Sequence, residues 1–280
     1  MKWLITGGGG MVANDLRRAL EERGENVVAL TRADLDVTDA ARSLAVVGNE
    51  RPEVIVNCAA YTKVDAAEEQ ENIANAVNGS AVEFLAQASN DTDALLVQLS
   101  TDFVFDGTKN TPYEINDATN PLSAYGRSKL MGEKAAQHAR RHVVVRTSWL
   151  FGIDGPNFVE AMRNQVRIGT NPLRVVNDQR GRPTYTRHLA DAIIRIVSCG
   201  GEGVMHYADA SDCTWFEFAR EIVRAAGEPV DVAPIMTAEL PRPAMRPAYS
   251  VLSTERYERL TGVSPASWRE GLEEYLSRRV

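Results

Sequence analysis

The chain opens on a short apolar run, Lys2-Trp3-Leu4-Ile5-Thr6, that passes directly into four glycines, Gly7 to Gly10. Met11-Val12-Ala13 follow, with Leu16, Ala19 and Leu20 at helical spacing. Strand, glycine turn and helix in that order admit few folds. The glycines permit a tight turn and let a dinucleotide pyrophosphate approach the free N–H groups at the helix N-terminus. The run reads as Gly7-x-x-Gly10-x-x-Ala13 or as Gly8-x-Gly10-x-x-Ala13, with Ala13 as the small residue where helix packs on strand. A flexible loop would carry the same glycines, but a position one strand into the chain favours a cofactor site. Gly7, Gly10, Met11 and Val12 are the expected phosphate cradle.

The same alternation continues. Val27-Val28-Ala29-Leu30, Val54-Ile55-Val56-Asn57, Leu95-Leu96-Val97-Gln98-Leu99 and Val143-Val144-Val145-Arg146 read as buried strands. Helical patterns lie between them, clearest over 73–89 and 123–140. This predicts an α/β fold: a Rossmann-type, doubly wound parallel sheet with a smaller C-terminal substrate-binding portion. Gly7, Ala59, Ser100-Thr101 and Ser148-Trp149 all fall just after strands and would line one crevice. After residue 150 the pattern loosens into a polar turn at 177–184, helices over 186–199, 215–226 and 268–278, and a proline-rich stretch holding Pro234, Pro241, Pro243 and Pro247. Val204-Met205-His206-Tyr207 reads as a late strand of the main sheet. The expected division is a dinucleotide-binding domain over 1–148, with about 176–210 returning to it, and a substrate-binding portion over 149–175 and 211–280.

Composition excludes several classes. A formal net charge of −7 argues against nucleic acid or an anionic membrane as partner. No signal-peptide core and no apolar run of about 18 residues is present, so the expected location is the cytoplasm. Cys58, Cys199 and Cys213 lack metal-ligand spacing and read as buried thiols in a reducing compartment. His138, His142, His188 and His206 are scattered with no carboxylate partner at metal or triad spacing, and no chemistry is assigned to them. Asp65, Glu68, Glu69 and Glu71 read as a solvated helical face.

The chemistry concentrates at Ser123-Ala124-Tyr125-Gly126-Arg127-Ser128-Lys129. Tyr125 and Lys129 stand four residues apart in the first turns of a helix, hence on one face. An ammonium beside a phenol favours the phenolate and is expected to lower the tyrosine pKa from about 10. Such a group exchanges a proton near neutral pH while a hydride moves. An isolated match of this kind reads more readily as a solvated helix turn, and the rest of the chain reverses that in favour of catalysis.

Assembled in order, the motifs resemble those of the extended short-chain dehydrogenase/reductase superfamily, and within it the dTDP-4-dehydrorhamnose reductase family. Further matching pieces are Asp36-Val37-Thr38-Asp39, the segment from Val56 to Glu68 with Ala59-Ala60-Tyr61-Thr62-x-Val64-Asp65, and Ser100-Thr101-Asp102-Phe103-Val104-Phe105-Asp106-Gly107. Arg146-Thr147-Ser148-Trp149, Asn177-Asp178-Gln179-x-Gly181-x-Pro183-Thr184 and Arg246-Pro247-x-x-Ser250-x-Leu252 complete the set. The resemblance runs nearly end to end. Related nucleotide-sugar dehydratases carry a glutamate where this chain has Phe103, so dehydration is not expected. Some family members bridge a dimer through a carboxylate-held metal. Asp15 fits one such place, but its counterpart falls near Arg187, and no metal is expected.

The resemblance implies NAD(P)H-dependent reduction of the 4-keto group of a dTDP-linked 6-deoxy-4-ketohexose, dTDP-4-dehydro-L-rhamnose to dTDP-L-rhamnose. Thr101, Tyr125 and Lys129 are then the catalytic residues. Tyr125 gives the proton, Thr101 holds the carbonyl or merely caps its turn, and Lys129 also binds the nicotinamide ribose. Asp36 and Val37 lie by the adenine, and Ala59, Ala60 and Tyr61 face the cofactor. Asp102 either contacts a sugar hydroxyl or serves the turn. Trp149 packs on the sugar or sits in the core. Arg246, with Arg182 next, is the candidate for the diphosphate, a surface role being the alternative. Strand two ends in Thr31-Arg32 without the carboxylate that accepts a ribose 2′-hydroxyl. Arg32 suits a 2′-phosphate, so NADPH is the expected cofactor, with NADH also accepted in this family. The partner is a nucleotide sugar, and a homodimer is compatible with the family. Rival readings are a ketoreductase for another nucleotide-linked deoxysugar, an epimerase with tightly held cofactor, and a non-catalytic regulatory subunit of the same fold.

Overall fold

In the computed structural model, which describes residues 1–278, six strands form one parallel sheet. These are β1 (Lys2–Thr6), β2 (Asn26–Leu30), β3 (Val54–Asn57), β4 (Leu95–Thr101), β5 (His142–Thr147) and β10 (Gly203–His206), in the order β10-β5-β4-β3-β1-β2. The chain leaves β1 to one side for β2 and returns to the other side for β3. The switch point therefore falls between the ends of β1 and β3, where open α/β sheets bind ligands. Strict alternation of apolar side chains packs both faces. Trp3, Ile5, Val54, Val56, Val143 and Val145 meet helices α1 (Met11–Glu21) and α7 (Thr186–Ser198). Leu4, Ile55, Leu96 and Val144 meet α2 (Ala40–Glu50), α4 (Ala81–Thr92) and α5 (Ala124–Ala136).

Two helical expectations change. The pattern over 73–89 is not one helix: α3 (Glu71–Asn75) runs into a π turn, Ala76–Ser80, before α4. Side-chain bonding explains the break, because Asn78 Oδ1 accepts from Tyr61 N at 2.8 Å and its Nδ2 donates to Tyr61 O and Ser128 Oγ. π turns of this kind gather at functional sites. The pattern over 123–140 ends as α5 at Ala136, after which the amides of Gln137, His138 and Ala139 make tighter three-residue bonds and the chain drops into β5.

The remaining elements build a second layer over the carboxyl edge. Short pairs join β6 (Leu150–Phe151) to β9 (Thr184–Tyr185), β7 (Leu173–Val176) to β12 (Val232–Ile235), and β8 (Arg180–Gly181) to β11 (Cys213–Thr214). Around Phe151, Phe218, Trp268 and Tyr275 pack α6 (Phe158–Arg167), α8 (Trp215–Ala225) and α10 (Trp268–Ser277). Capping boxes start α8 at Thr214/Glu217 and α10 at Ser267/Glu270. The short α9 (Glu255–Thr261) returns beside α7.

Several surface readings are also corrected. Cys213 is buried and Cys58 partly so, but Cys199 is exposed at the end of α7. His188 Nδ1 lies 2.9 Å from Asp209, and His138 Nδ1 2.8 Å from Glu83, so two histidines do have carboxylate partners. The acidic stretch is not simply solvated. Asp65 pairs with Arg246, Glu71 with Arg127, and Glu68 Oε1 accepts from Ala124 N at 2.8 Å. Asp15 is buried and accepts from Thr186 Oγ1 at 2.6 Å. Among the described residues no cluster of three or more His, Cys, Asp or Glu is placed to hold a metal ion, and no helix is long and apolar enough to cross a membrane.

Candidate active site

The glycine turn stands at the switch point. Gly7 takes φ +67°, and a Cβ there would lie 2.7 Å from Ala59 N. Only glycine lets β1 and the chain after β3 approach so closely. Gly8 N donates to Leu30 O at 2.7 Å, tying the turn to β2, and Gly10 caps α1 without a side chain. The first amides of α1 thus keep their donors for an anion, and space beside Gly9 is open. The cradle fits a dinucleotide pyrophosphate. Val37 is buried against Leu35 and Ala81. Arg32 is 86% exposed and pairs with Asp36 at 3.3 Å. Thr38 holds Asp36 through its hydroxyl and amide, and these bonds keep the carboxyl below the usual range.

Beneath the crevice a polar ladder crosses three strand ends. Thr6 Oγ1 donates to Asn57 Oδ1 at 2.6 Å, Asn57 Nδ2 to Gln98 Oε1 at 2.7 Å, and Gln98 Nε2 to Leu99 O at 2.8 Å. All these side chains are buried, and satisfied networks of this kind fix strand ends in place.

Two glycines bring α5 against the turn that follows β4 and against the π turn. A Cβ on Gly126 would meet Phe103 O at 2.3 Å, and one on Gly132 would meet Asn78 O at 2.0 Å. Ser123 caps the helix through Gly126 N, and the Glu68 carboxylate takes the next free amide. Tyr125 is thereby delivered to the end of β4, its ring edge-on to Phe103 at 5.7 Å. Thr101 is the side chain whose hydroxyl acts on its phenol. Thr101 also caps the turn Asp102–Val104, accepting from Phe103 N at 3.2 Å and donating to Asp102 Oδ1 at 3.0 Å. The turn-capping role weighed for it from sequence is thus present.

The electrostatics of the pair differ from expectation. Burial pushes the Tyr125 phenol up to about 12, with Thr101 opposing and the Asp102 charge adding to the rise. Lys129 does not lower it. Its Nζ instead donates to Leu99 O at 2.7 Å, and burial brings the ammonium down to about 8 against the pull of Glu133. Glu133, one turn further on the same face, is held by Arg146 at 2.7 and 2.8 Å and by Ser100 Oγ at 2.5 Å. Neither Glu133 nor Arg146 has a role in the sequence reading. Their shared burial and opposite charge are the signal that the topology supplies.

Beside this centre lies a cavity of about 490 Å³, bounded by Phe103, Trp149, Trp215, Arg174, Arg246 and Ser250 among others. Trp149 takes φ +47° and stacks flat on Trp215, centroids 3.5 Å apart. A Cβ at position 181 would stand 2.6 Å from its ring, so Gly181 makes room for it. Arg246 reaches the cavity from the proline-rich stretch, its Nη2 bonded to both Asp65 oxygens at 2.9 and 3.0 Å. Arg182 is not brought to this cavity. Its Nη1 points to Thr254 Oγ1 at 3.5 Å, and its buried Nε has no partner among the described residues.

Comparison with known proteins agrees with this geometry. The sequence profile of the RmlD substrate binding domain matches residues 1–280. The chain is 40% identical to the dTDP-4-dehydrorhamnose reductase of Streptomyces griseus over 98% of its own length and 92% of the relative's. It is 43% identical to a probable dTDP-4,6-dihydroxy-2-methyloxan-3-one 4-ketoreductase of Streptomyces antibioticus, covering 98% and 94%. The crystal structure of dTDP-4-dehydrorhamnose reductase from Bacillus anthracis in complex with NADP superposes with a TM-score of 0.95 at 35% identity, covering 99% of each chain. End to end, then, in sequence as in the arrangement of its strands, the chain belongs to the dTDP-4-dehydrorhamnose reductase family.

Proposed function

We propose that this protein uses NADPH to reduce the 4-keto group of dTDP-4-dehydro-L-rhamnose to the alcohol of dTDP-L-rhamnose. The observation that carries the reading is the placing of Tyr125, Thr101 and Lys129 at the carboxyl ends of the central strands, between a pyrophosphate cradle and a cavity with aromatic walls and arginines. The bound nicotinamide supplies a hydride to the carbonyl carbon. Everything else is asked of this chain. Gly7, Gly10, Met11 and Val12 bind the pyrophosphate, Ala59, Ala60 and Tyr61 face the cofactor, and Asp36 and Val37 bound the adenine. Lys129 keeps two further Nζ protons for the ribose while the third holds Leu99 O. Tyr125, protonated at neutral pH because burial raises its phenol, gives its proton to the forming alkoxide. Thr101 holds the carbonyl oxygen in line for attack. Trp149 offers a flat face to the sugar, Asp102 stands behind Thr101, and Arg246 meets the diphosphate. Arg182 serves the substrate only if it turns from Thr254.

The unpaired cysteines suit a reducing cytoplasm. The 43% identity to a ketoreductase named for a different sugar favours one second reading, another dTDP-linked deoxysugar 4-ketone as substrate. NADPH oxidation with a panel of nucleotide-linked 4-ketosugars tests both readings. Preference for dTDP-4-dehydro-L-rhamnose supports the first, preference for a different sugar the second, and turnover of none removes both.

A further inference from the structure

Thr101 has one hydroxyl proton, and Asp102, the Tyr125 phenol oxygen and a substrate carbonyl all have a claim on it. In the structure it goes to Asp102 Oδ1 at 3.0 Å, while the oxygen accepts from Phe103 N. Catalysis as proposed above needs that same proton on the substrate carbonyl. An ionised carboxylate only accepts, and its charge-assisted bond outcompetes one to a neutral ketone. A protonated carboxyl instead donates, and so can turn the threonine hydroxyl around. Asp102 is built for the neutral form. It is 1% exposed, and its Oδ2 is buried without a hydrogen bond of good geometry among the described residues, the Ser250 hydroxyl standing nearby.

Charges nearby do little to restore ionisation. Burial raises the carboxyl to about 6, opposed by the hydroxyls of Ser250 and Thr101 and by the amides of Asp102 and Phe103. From α5 its titratable neighbour is Tyr125, whose phenol the Asp102 charge pushes upward. Ser250, on the segment after Arg246, brings a hydroxyl and no charge. None of the groups that act on it most strongly is a cation.

We propose that Asp102 is a positioning residue that works protonated: its O–H donates to Thr101 and thereby directs the threonine proton to the substrate carbonyl. The proposal rests on Thr101 holding that carbonyl. Its proton stays on Asp102 throughout. The hydride forms the new C–H bond, the carbonyl π pair moves to oxygen, and Tyr125 provides the proton that completes the alcohol.

Two measurements test this. The first is kcat and KM from pH 5.5 to 7.5, with NADPH and the best ketosugar of the panel, for wild type, Asp102→Asn and Thr101→Val. Wild-type kcat should fall with rising pH, approaching about tenfold per unit above the Asp102 ionisation. A carboxamide donates at every pH, so Asp102→Asn should flatten that fall to about twofold or less, with KM little moved. Thr101→Val should lose on the order of 10²–10³ in kcat and show no such slope. A merely structural Asp102 would leave the slope in place in Asp102→Asn, and that result, or a flat wild-type profile, overturns the proposal. The second measurement is the infrared difference between wild type and Asp102→Asn, which shows a carboxylic-acid band titrating near pH 6 if the group is as described. Its absence also overturns the proposal. If wild type reduces no ketosugar, the proposed function fails, and the infrared band alone decides the state of Asp102.

Discussion

Replacing Arg246 with alanine should raise KM for the nucleotide sugar about 30-fold and leave NADPH affinity unchanged. The guanidinium has five N–H donors. Nη2 is engaged with Asp65, and Nη1 gives one bond to Ala244 O at 2.8 Å. Nε and the second Nη1 proton remain for a diphosphate oxygen. A hydrogen bond to a charged group contributes about 1.5–3 kcal/mol. The side chain is 20% exposed and already half-neutralised by Asp65, so the lower part of that range applies. About 2 kcal/mol is about 30-fold in affinity. Initial rates of NADPH oxidation with varied nucleotide sugar, paired with a fluorescence titration of NADPH, separate the two sites. Arg246→Lys should recover the loss only partly, since an ammonium cannot make the paired contact. Asp65→Asn should raise KM by about threefold, because a guanidinium released from its carboxylate is less well placed. A KM within about twofold of wild type in Arg246→Ala would refute the diphosphate role. Equal reduction of free 4-ketosugars would refute the nucleotide-sugar reading as well.

Tyr125→Phe should lower kcat by about 10²–10⁴-fold with NADPH binding nearly unchanged, read by single-turnover rates and cofactor titration. The Lys129 ammonium has a depressed pKa, so it is cationic below about pH 8 and loses its charge above; NADPH affinity should hold below pH 8 and weaken as pH rises through that value, while Lys129→Ala should be weak throughout. This alkaline loss appears in Kd for the cofactor, unlike the kcat slope assigned to Asp102 at lower pH. Arg32→Ala should reduce the NADPH-to-NADH ratio of kcat/KM if the freely exposed guanidinium reads the 2′-phosphate, and an unchanged ratio removes it from that role. Gly132→Ala should destabilise the fold by about 1–3 kcal/mol in urea unfolding, because its Cβ would fall 2.0 Å from Asn78 O and drive α5 off the π turn.

The central sheet was legible because its strands carry their burial on both faces. Leu4 between Trp3 and Ile5, or Val144 between Val143 and Val145, has an apolar neighbour on each side, and only a sheet covered by helices buries such a run. The π turn was not legible. Residues 73–89 keep helical spacing, and what breaks the helix is Asn78 bonding to Tyr61 and Ser128, two partners from distant parts of the sequence. The early end of α5 had a local cause instead, three tighter turns before β5, and no proline or glycine marks it.

At the candidate site, which residues gather at one crevice was readable in part, and their electrostatics were not. Tyr125 and Lys129 do share a helical face, but spacing along a helix says nothing about what each side chain meets across it. Lys129 meets the Leu99 carbonyl, which the Gln98 ladder already holds in place, and its charge is balanced by Glu133 rather than given to the phenol. Tyr125 is instead buried beside Thr101 at the end of β4, and burial raises its phenol while the Thr101 hydroxyl opposes the rise. A phenol in those surroundings is an acid at neutral pH, which suits reduction, where the substrate oxygen gains a proton. The same argument bears on Arg246. Proline-rich sequence around it indicated a rigid support, and the structure supplies a second constraint in Asp65, 181 residues away in the chain. That ion pair joins the segment following β3, which packs against Gly7 of the glycine turn, to the loop that bounds the cavity beside Trp149. A substrate that draws Arg246 toward its diphosphate therefore pulls on the cofactor side of the crevice as well, and Asp65→Asn should reveal the link as a loss of any synergy between NADPH and nucleotide-sugar binding.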